Sequence, residues 1–434
     1  MFILHKKQIT MKIKNFRWWI VGLLAVVTAI NYLDRQNFPL VYAEINKVIP
    51  ISDSQYGFLN SLFLFMYGTM YAVGGRIVDL VGTRVGYAFM ATWWSIANIF
   101  HAFVSGITGL GIGRFFLGAG EGGGFPASAK VISEWFPKKE RSYAFGIFNT
   151  GSSIGAIIAP ILVLFIVSTL GSWRWTFAVF GFIGLLWVIV WLKMFNRPEK
   201  SKYITEKEKQ YILNELTVEE GKNAQEQKIL WRELFKIRKL WGLFIIKFLT
   251  DSAWYFFIFW LPKYLYDMRG LDIKGIGTYS WIPFAFAAMG SFIGGWLSSW
   301  LIKKNVSLDL SRKIALGIAA ALLPASLLIT STSSFLSAIF FFGLAMMGHQ
   351  FWSTIVQTLA ADIFPSKIVG TVAGLIGCIG TYGAMLFSLI IGFIIQQHGY
   401  TPAFILSGIL HPISFILILI IIRKIEPVHF LAIK

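Results

Sequence analysis

Six ionisable side chains interrupt stretches that are otherwise apolar: Asp34, Arg35, Arg114, Glu121, Lys247 and Asp251. A charge inside hydrocarbon costs about 3 kcal/mol or more, so such residues mark a substrate or proton path. Arginine suits a carboxylate, which it clamps through two parallel N–H bonds. A carboxylate held away from water takes up a proton more readily than one in solution. Arg114 and Glu121 stand seven residues apart, about 10.5 Å along one helical face, so both can line one cavity. Asp34 and Arg35 are adjacent and point about 100° apart on a helix, so only one faces a given point squarely. Lys247 and Asp251, at i and i+4, can pair with each other, and we read them as a structural ion pair rather than a coupling pair.

Other polar groups are less specific. The run Trp254-Tyr255-Phe256-Phe257-Ile258-Phe259-Trp260 reads either as lipid-facing or core packing, or as a stacking surface for a sugar ring. His349, Gln350 and Trp352 form a second polar cluster, equally suited to helix–helix hydrogen bonding and to substrate contact. Gly118 to Gly124 contains a literal G-x-G-x-x-G, but no strand or βαβ unit surrounds it, which excludes a dinucleotide site. Its pairs Gly118/Gly122 and Gly120/Gly124, like Gly151/Gly155, instead allow close helix packing. The six histidines (His5, His101, His349, His398, His411, His429) show no metal-ligand spacing, and the single Cys378 has no base beside it. Neither an enzyme nor a cofactor or metal is expected.

These residues must be positioned by a membrane protein. Of 434 residues, 56% are hydrophobic and only 14% charged, too little polar surface for a soluble fold. Apolar blocks predict twelve helices near 17–41, 55–78, 85–104, 107–127, 142–166, 174–195, 241–265, 279–302, 313–331, 335–360, 369–396 and 401–422. The net charge of +18 would suggest nucleic acid in a soluble protein, but here it gathers in alternate loops. With the amino terminus inside, 31 of 39 Lys+Arg fall on the inner side and 5 (Lys47, Arg174, Lys263, Arg269 and Lys274) in outer loops, which predicts cytoplasmic termini. The first block is too long for a signal peptide and lacks a cleavage site, so it reads as a retained helix; Met11 is an alternative start to Met1.

One polar stretch, 196–240, divides six-helix bundles at 1–195 and 241–434. Within it, Thr205 and Glu208 read as a capping box. Leu230, Trp231, Leu234, Phe235 and Ile237, interleaved with Arg232, Lys236 and Arg238, read as an amphipathic helix at the headgroups. The halves echo each other. Glu134-Trp135-Phe136-Pro137-Lys138-Lys139 reappears as Asp362-Ile363-Phe364-Pro365-Ser366-Lys367, and Gly146 and Gly155 match Gly374 and Gly383. Gly74-Gly75 likewise matches Gly294-Gly295. Parallel repeats of this kind predict a transporter with its site at the midplane between them.

The spacing of Gly75, Asp79, Gly82 and Arg84 resembles the loop motif of the major facilitator superfamily, which would act in gating. Ile30-Asn31-Tyr32-Leu33-Asp34-Arg35 and the stretch from Arg114 through Glu121 resemble its anion:cation symporter family. Lys247-Phe248-Leu249-Thr250-Asp251, Trp254-Tyr255-Phe256, Phe259-Trp260-Leu261-Pro262-Lys263-Tyr264 and His349-Gln350-Phe351-Trp352-Ser353 look like the hexuronate transporters of that family. The resemblance implies a proton-driven importer of glucuronate or galacturonate in a bacterial inner membrane, working as a monomer. Arg35 would bind the substrate carboxylate with Tyr67 nearby, and Trp254, Tyr255, His349, Gln350 and Trp352 would complete the substrate site. Asp34 and Glu121 would be the protonatable pair, with Arg114 the partner of Glu121. Ser252 stands where that branch commonly has proline, and Ile355 where an amide is expected. A symporter of another organic anion (an aldonate, aldarate or aromatic carboxylate) and a receptor that binds without transport remain the alternatives.

Overall fold

A computed structural model describes residues 12–223, 231–364 and 366–428. The choice between Met1 and Met11, His5, His429, Leu230 and Pro365 lie outside them. The chain is helical throughout: α1 (Phe16–Leu40), α2 (Tyr42–Asn46), α3 (Asp53–Val81), α4 (Thr83–Phe100), α5 (Ile107–Glu121), α6 (Gly124–Trp135), α7 (Lys138–Leu170) and α8 (Arg174–Met194) precede the polar stretch. That stretch holds α9 (Glu206–Asn223) and α10 (Trp231–Leu234). Then follow α11 (Arg238–Arg269), α12 (Ile273–Tyr279), α13 (Trp281–Lys303), α14 (Leu308–Leu322), α15 (Phe335–Ile363), α16 (Ser366–His398) and α17 (Tyr400–Leu417). Among the described residues the only extended pairing is a single bridge between Ile13 and Ile204.

Among the described residues, ten helical segments are long and apolar enough to cross a bilayer, α12 and α13 forming one of them. The blocks expected as third and fourth spans are α4 and the α5/α6 pair, which fall short of that criterion. Between α5 and α6, Gly122 and Gly123 keep right-handed helical angles, so the axis continues with little deviation. Local chemistry sets the other ends. Ser52 and Gln55 form a capping box that starts α3. Gly82, at φ +83°, makes the reversal from α3 to α4 that a side chain would strain. After α11, the Gly270 N–H reaches Tyr266 and the Leu271 N–H reaches Leu265, a Schellman-type stop.

Small residues decide which helices touch. A Cβ on Gly118 or Gly122 would run into the backbone carbonyls of Phe63 and Tyr67, so these glycines seat α5 against α3. Gly151 and Gly155 bring α7 against the backbone of Ala25 and Ala29 on α1, and Gly383 brings α16 against Phe248 on α11. The match of Gly155 with Gly383 in the sequence is thus a match in packing. Gly74 faces the backbone of Gly123, and its counterpart Gly294 faces Phe351.

The two halves of the chain are joined at one end of the helices. Lys263 pairs with Asp53 at 2.5 Å, and the Tyr56 hydroxyl donates to the Phe259 carbonyl at 2.6 Å. Ser61 donates to Met385, and the Ser54 N–H donates to Gln396. Farther along, the hydroxyls of Thr69 and Tyr382 share a bond of 2.9 Å. Gly57 lies directly against Gly392. Toward the other end, Gly146 and its counterpart Gly374 both look into open space. The halves therefore meet tightly at the Asp53 end and part toward the Gly82 end.

The polar stretch differs from expectation in two places. The Glu208 N–H does donate to Thr205, but the Glu208 carboxylate does not fold back onto it. It accepts from the backbone N–H of Phe16 and Arg17 and pairs with the Arg17 side chain at 2.8 Å. The reason is that α1 begins with unsatisfied N–H groups that a buried acid on α9 can serve. Among the described residues of the expected amphipathic helix, α10 forms a single turn and Phe235 is exposed. Leu234 and Ile237 bury themselves against Leu240, Ile422 and Ile425, so protein rather than lipid covers them.

Candidate functional site

α1 carries the first polar group. Asp34 and Arg35 do point apart. Asp34 turns toward α4, where Asn98 donates to it at 2.7 Å and also reaches the Phe177 carbonyl on α8; its second oxygen, Oδ2, has no partner. Arg35 turns to the interior. Its Nε and Nη2 both donate to Glu121 Oε2 at 3.1 Å, and Nη2 also donates to Asn31, one turn back, at 2.9 Å. The guanidinium lies over Tyr67 at 4.5 Å and over Tyr32 at 4.8 Å. Both members of the Arg35–Glu121 pair are shut away from solvent.

The partner of Glu121 is therefore Arg35, and not Arg114 as the motif resemblance implied. Arg114 is fully buried and donates only to the Asn60 amide, at 3.0 Å. Its guanidinium rests over Phe63 at 4.4 Å, with Phe38 and Phe259 on other sides. Nε and Nη1 of Arg114 lack partners, and so does Oε1 of Glu121. Seven residues along α5 do put Arg114 and Glu121 on one face, but the side chain that crosses to the acid comes from α1. Arg35 and Arg114 both approach the Phe63 ring, so two cations and one acid share this interior.

The facing wall comes from α11, which is buried continuously from Thr250 to Leu265. Tyr255 and Trp254 each retain 8% exposure, the same as Tyr67. Trp254 stacks on His349 at 4.8 Å and 10°, and His349 meets His411 through ring nitrogens 3.1 Å apart. Trp352 lies edge-on to His411 and is wholly buried, with its indole N–H unpaired. Thus Trp254 and Tyr255 border the interior, while His349 and Trp352 stand behind Trp254. Gln350 is half-buried, and its backbone carbonyl accepts from Thr354. Lys247 and Asp251 form the expected pair, at 2.7 Å. Ser252 donates back to Phe248, and Ile355 is enclosed in an apolar cluster.

The loop residues sit together at the Gly82 end. Asp79 pairs with Lys130 of α6 at 2.9 Å, while Gly75 lies beside Pro126. Arg84 donates to the Leu192 carbonyl, and its own carbonyl accepts from the Trp191 indole. Thr83 donates to Glu134, which also pairs with Arg197. In the second half, Asp362, the sequence counterpart of Glu134, pairs with Arg312 at 2.8 Å. These ties fasten helices within a half rather than bridging the two.

Sequence reasoning missed the neutral partners: Asn31, Asn60, Asn98, Tyr32 and His411. A polar amide in an apolar block carries a weak signal, since its charged partner can lie anywhere in the chain. Lys263 was also assigned to an outer loop, whereas it is 2% exposed and ringed by Tyr42, Asp53 and Asp267.

Comparison with known proteins agrees with this architecture. The chain is 32% identical over 402 residues to a hexuronate transporter of Escherichia coli, covering 91% of each protein. It is 33% identical over 313 residues to a galacturonate transporter of Dickeya chrysanthemi, covering 72% of this chain and 90% of that one. A probable galactarate/D-glucarate transporter of Escherichia coli is 27% identical over 408 residues, covering 90% of this chain and 91% of that one. Among solved structures, a bacterial homologue of the human lysosomal transporter Spinster, inward-facing and occupied, gives a TM-score of 0.73 at 18% identity, covering 95% and 98% of the two chains. A D-xylose–proton symporter gives 0.72 at 15%, covering 95% and 99%. Residues 24–380 match the model of the Major Facilitator Superfamily, so this multi-pass membrane protein belongs to that superfamily of transporters.

Proposed function

We propose that this chain imports a hexuronate, glucuronate or galacturonate, together with protons, by alternating access. The observation that carries this reading is the buried pair in which Arg35 gives two N–H bonds to Glu121. A uronate presents the same chemical group as Glu121. It reaches Arg35 only when Glu121 lets go, and protonation of Glu121 is what lets it go. Anion and proton therefore load together. The energetics call for this. Moving one negative charge into a cell held at −100 mV costs about 2.3 kcal/mol, and one accompanying proton cancels that cost. Tyr67, Trp254 and Tyr255 offer ring faces to the sugar, and His349, Gln350 and Trp352 support that wall. Asp34, hydrogen-bonded only to an amide, is the second protonatable acid, and Arg114 adds the positive field that favours an anion.

The remaining assignments follow the same reading. Bundles 1–195 and 241–434 rock about the site, linked by 196–240, in a bacterial inner membrane with both termini cytoplasmic. The Asp53 end is then the outer one, which makes the present state inward-facing. Gly75, Asp79, Gly82 and Arg84 would govern closure of the inner side. A single chain holds every group invoked, which supports a functional monomer. The test is uptake of labelled glucuronate into proteoliposomes under an imposed proton gradient, with galacturonate and galactonate as competitors. Accumulation that collapses with a protonophore supports the reading; uptake indifferent to the gradient, or preference for an unrelated anion such as an aromatic carboxylate, defeats it.

A further inference from the structure

A second largely buried ion pair lies in the other half of the chain, on α11. Lys247 and Asp251 meet at 2.7 Å on α11, with side chains 12% and 10% exposed. The packing fixes where they point. A Cβ on Gly380 would strike the Asp251 carboxylate, so a glycine on α16 clears room for it. One turn earlier on α16, Gly377 lies against the Tyr71 ring of the opposite half, and Tyr71 packs beside Tyr67 with ring centroids 6.1 Å apart. Tyr32 is the ring on which Arg35 rests at 4.8 Å. Arg35 also rests over Tyr67, at 4.5 Å, so Tyr67 and Tyr71 stand between Arg35 and the stretch of α16 that borders Asp251.

Helix packing relates the two halves. Gly155 abuts the Ala29 backbone of α1, and Gly383 abuts the Phe248 backbone of α11. Three residues on from each contact stand Tyr32 and Asp251. Tyr32 and Asp251 thus hold equivalent positions in the two repeats, each about one turn before Arg35 and Trp254 respectively.

We propose that Lys247–Asp251 sets the charge class of the substrate. Resting on the hexuronate reading, it makes the far wall neutral, so that a sugar acid with one carboxylate is held by Arg35 while a second carboxylate at the other end of the sugar meets Asp251. Specificity then comes partly from repulsion of the wrong ligand. Lys247 is the cation that a diacid would need, and Asp251 occupies it. A lone buried charge is costly, whereas a pair can be neutralised in both members without that cost.

The experiment compares wild type, Asp251→Asn and the double variant Lys247→Gln/Asp251→Asn, each purified in detergent and in proteoliposomes. Glucuronate uptake is competed with glucuronate and with glucarate, its two-carboxylate analogue. In wild type, glucuronate competes better. In Asp251→Asn, the freed Lys247 is expected to shift the ratio of the two inhibition constants toward glucarate by about tenfold or more, comparable to one charge pair. The double variant, with no charge on that wall, is expected to keep glucuronate uptake and to show a smaller glucarate gain, from loss of the Asp251 repulsion alone. An unchanged ratio in folded Asp251→Asn overturns the proposal. So does loss of glucuronate uptake in a double variant that still melts cooperatively. If Asp251→Asn does not fold, the double variant carries the test: a shift of the ratio toward glucarate supports repulsion by Asp251, and an unchanged ratio in a double variant that melts cooperatively overturns the proposal. Wild type that takes up neither acid would instead refute the hexuronate reading itself, a separate result.

Discussion

Replacing Glu121 by Gln removes one charge and leaves an acceptor in nearly the same place. Wild-type Arg35 gives Glu121 two bonds at 3.1 Å. Arg35 stays cationic, so its bonds to the new amide remain charge-assisted; what is lost is the attraction between two opposite charges, and close pairs of this kind contribute about 1.5 kcal/mol or more. A loss of about 2 kcal/mol in the hold on Arg35 is equivalent to about thirtyfold in affinity for an anion. Substrate binding is expected to tighten, up to that factor. Coupling is expected to vanish. With one proton per uronate, a tenfold proton gradient supplies about 1.4 kcal/mol and drives about tenfold accumulation. The assay is proteoliposome uptake with and without the gradient, alongside counterflow, which needs no driving force. Glu121→Gln should retain counterflow and equilibrate without accumulating. Gradient-driven accumulation equal to wild type would remove Glu121 from coupling.

Arg35→Lys keeps the charge but cannot supply both Nε and Nη2 donors; substrate affinity should fall by about tenfold or more, read by competition binding. Gly118→Ala and Gly122→Ala each drive a methyl into the α3 backbone, so each should cost about 1–3 kcal/mol and lower the melting temperature in detergent. Asp53→Asn weakens the tie to Lys263 that joins the halves; a cysteine introduced at Gln396 should react several-fold faster with an impermeant maleimide in that background, and an unchanged rate would count against Asp53 as a fastener. Asp79→Asn breaks a pair with Lys130 in which both side chains are about half exposed, so stability should change by no more than about 1 kcal/mol in a thermal melt.

The helices were legible because hydrocarbon imposes a simple rule: a backbone must satisfy itself over about twenty apolar residues. The repeat was legible for a related reason, since Gly155 and Gly383 recur where two helix backbones touch. The buried charges were found because each is expensive. Their partners were not. Helical spacing along α5 aligned Arg114 with Glu121, yet spacing within one helix says nothing about what a neighbouring helix inserts, and α1 inserts Arg35. Near Ile237 the amphipathic pattern could not say what covers its apolar side chains: Ile237 packs in a cluster with Ile422, while Phe235 stays exposed. Lys263 looked like a loop residue because its two acids lie on α3 and a turn farther along α11.

Whether Arg35 exchanges Glu121 for the substrate can be measured directly as proton movement on binding. Purified protein in weakly buffered detergent solution receives glucuronate, and the pH change is recorded from mildly acidic to mildly alkaline starting points. Binding should draw about one proton per site from solution wherever empty Glu121 is ionised, and Glu121→Gln should bind without drawing any. Wild type that binds glucuronate across the whole range with no proton uptake would contradict the exchange.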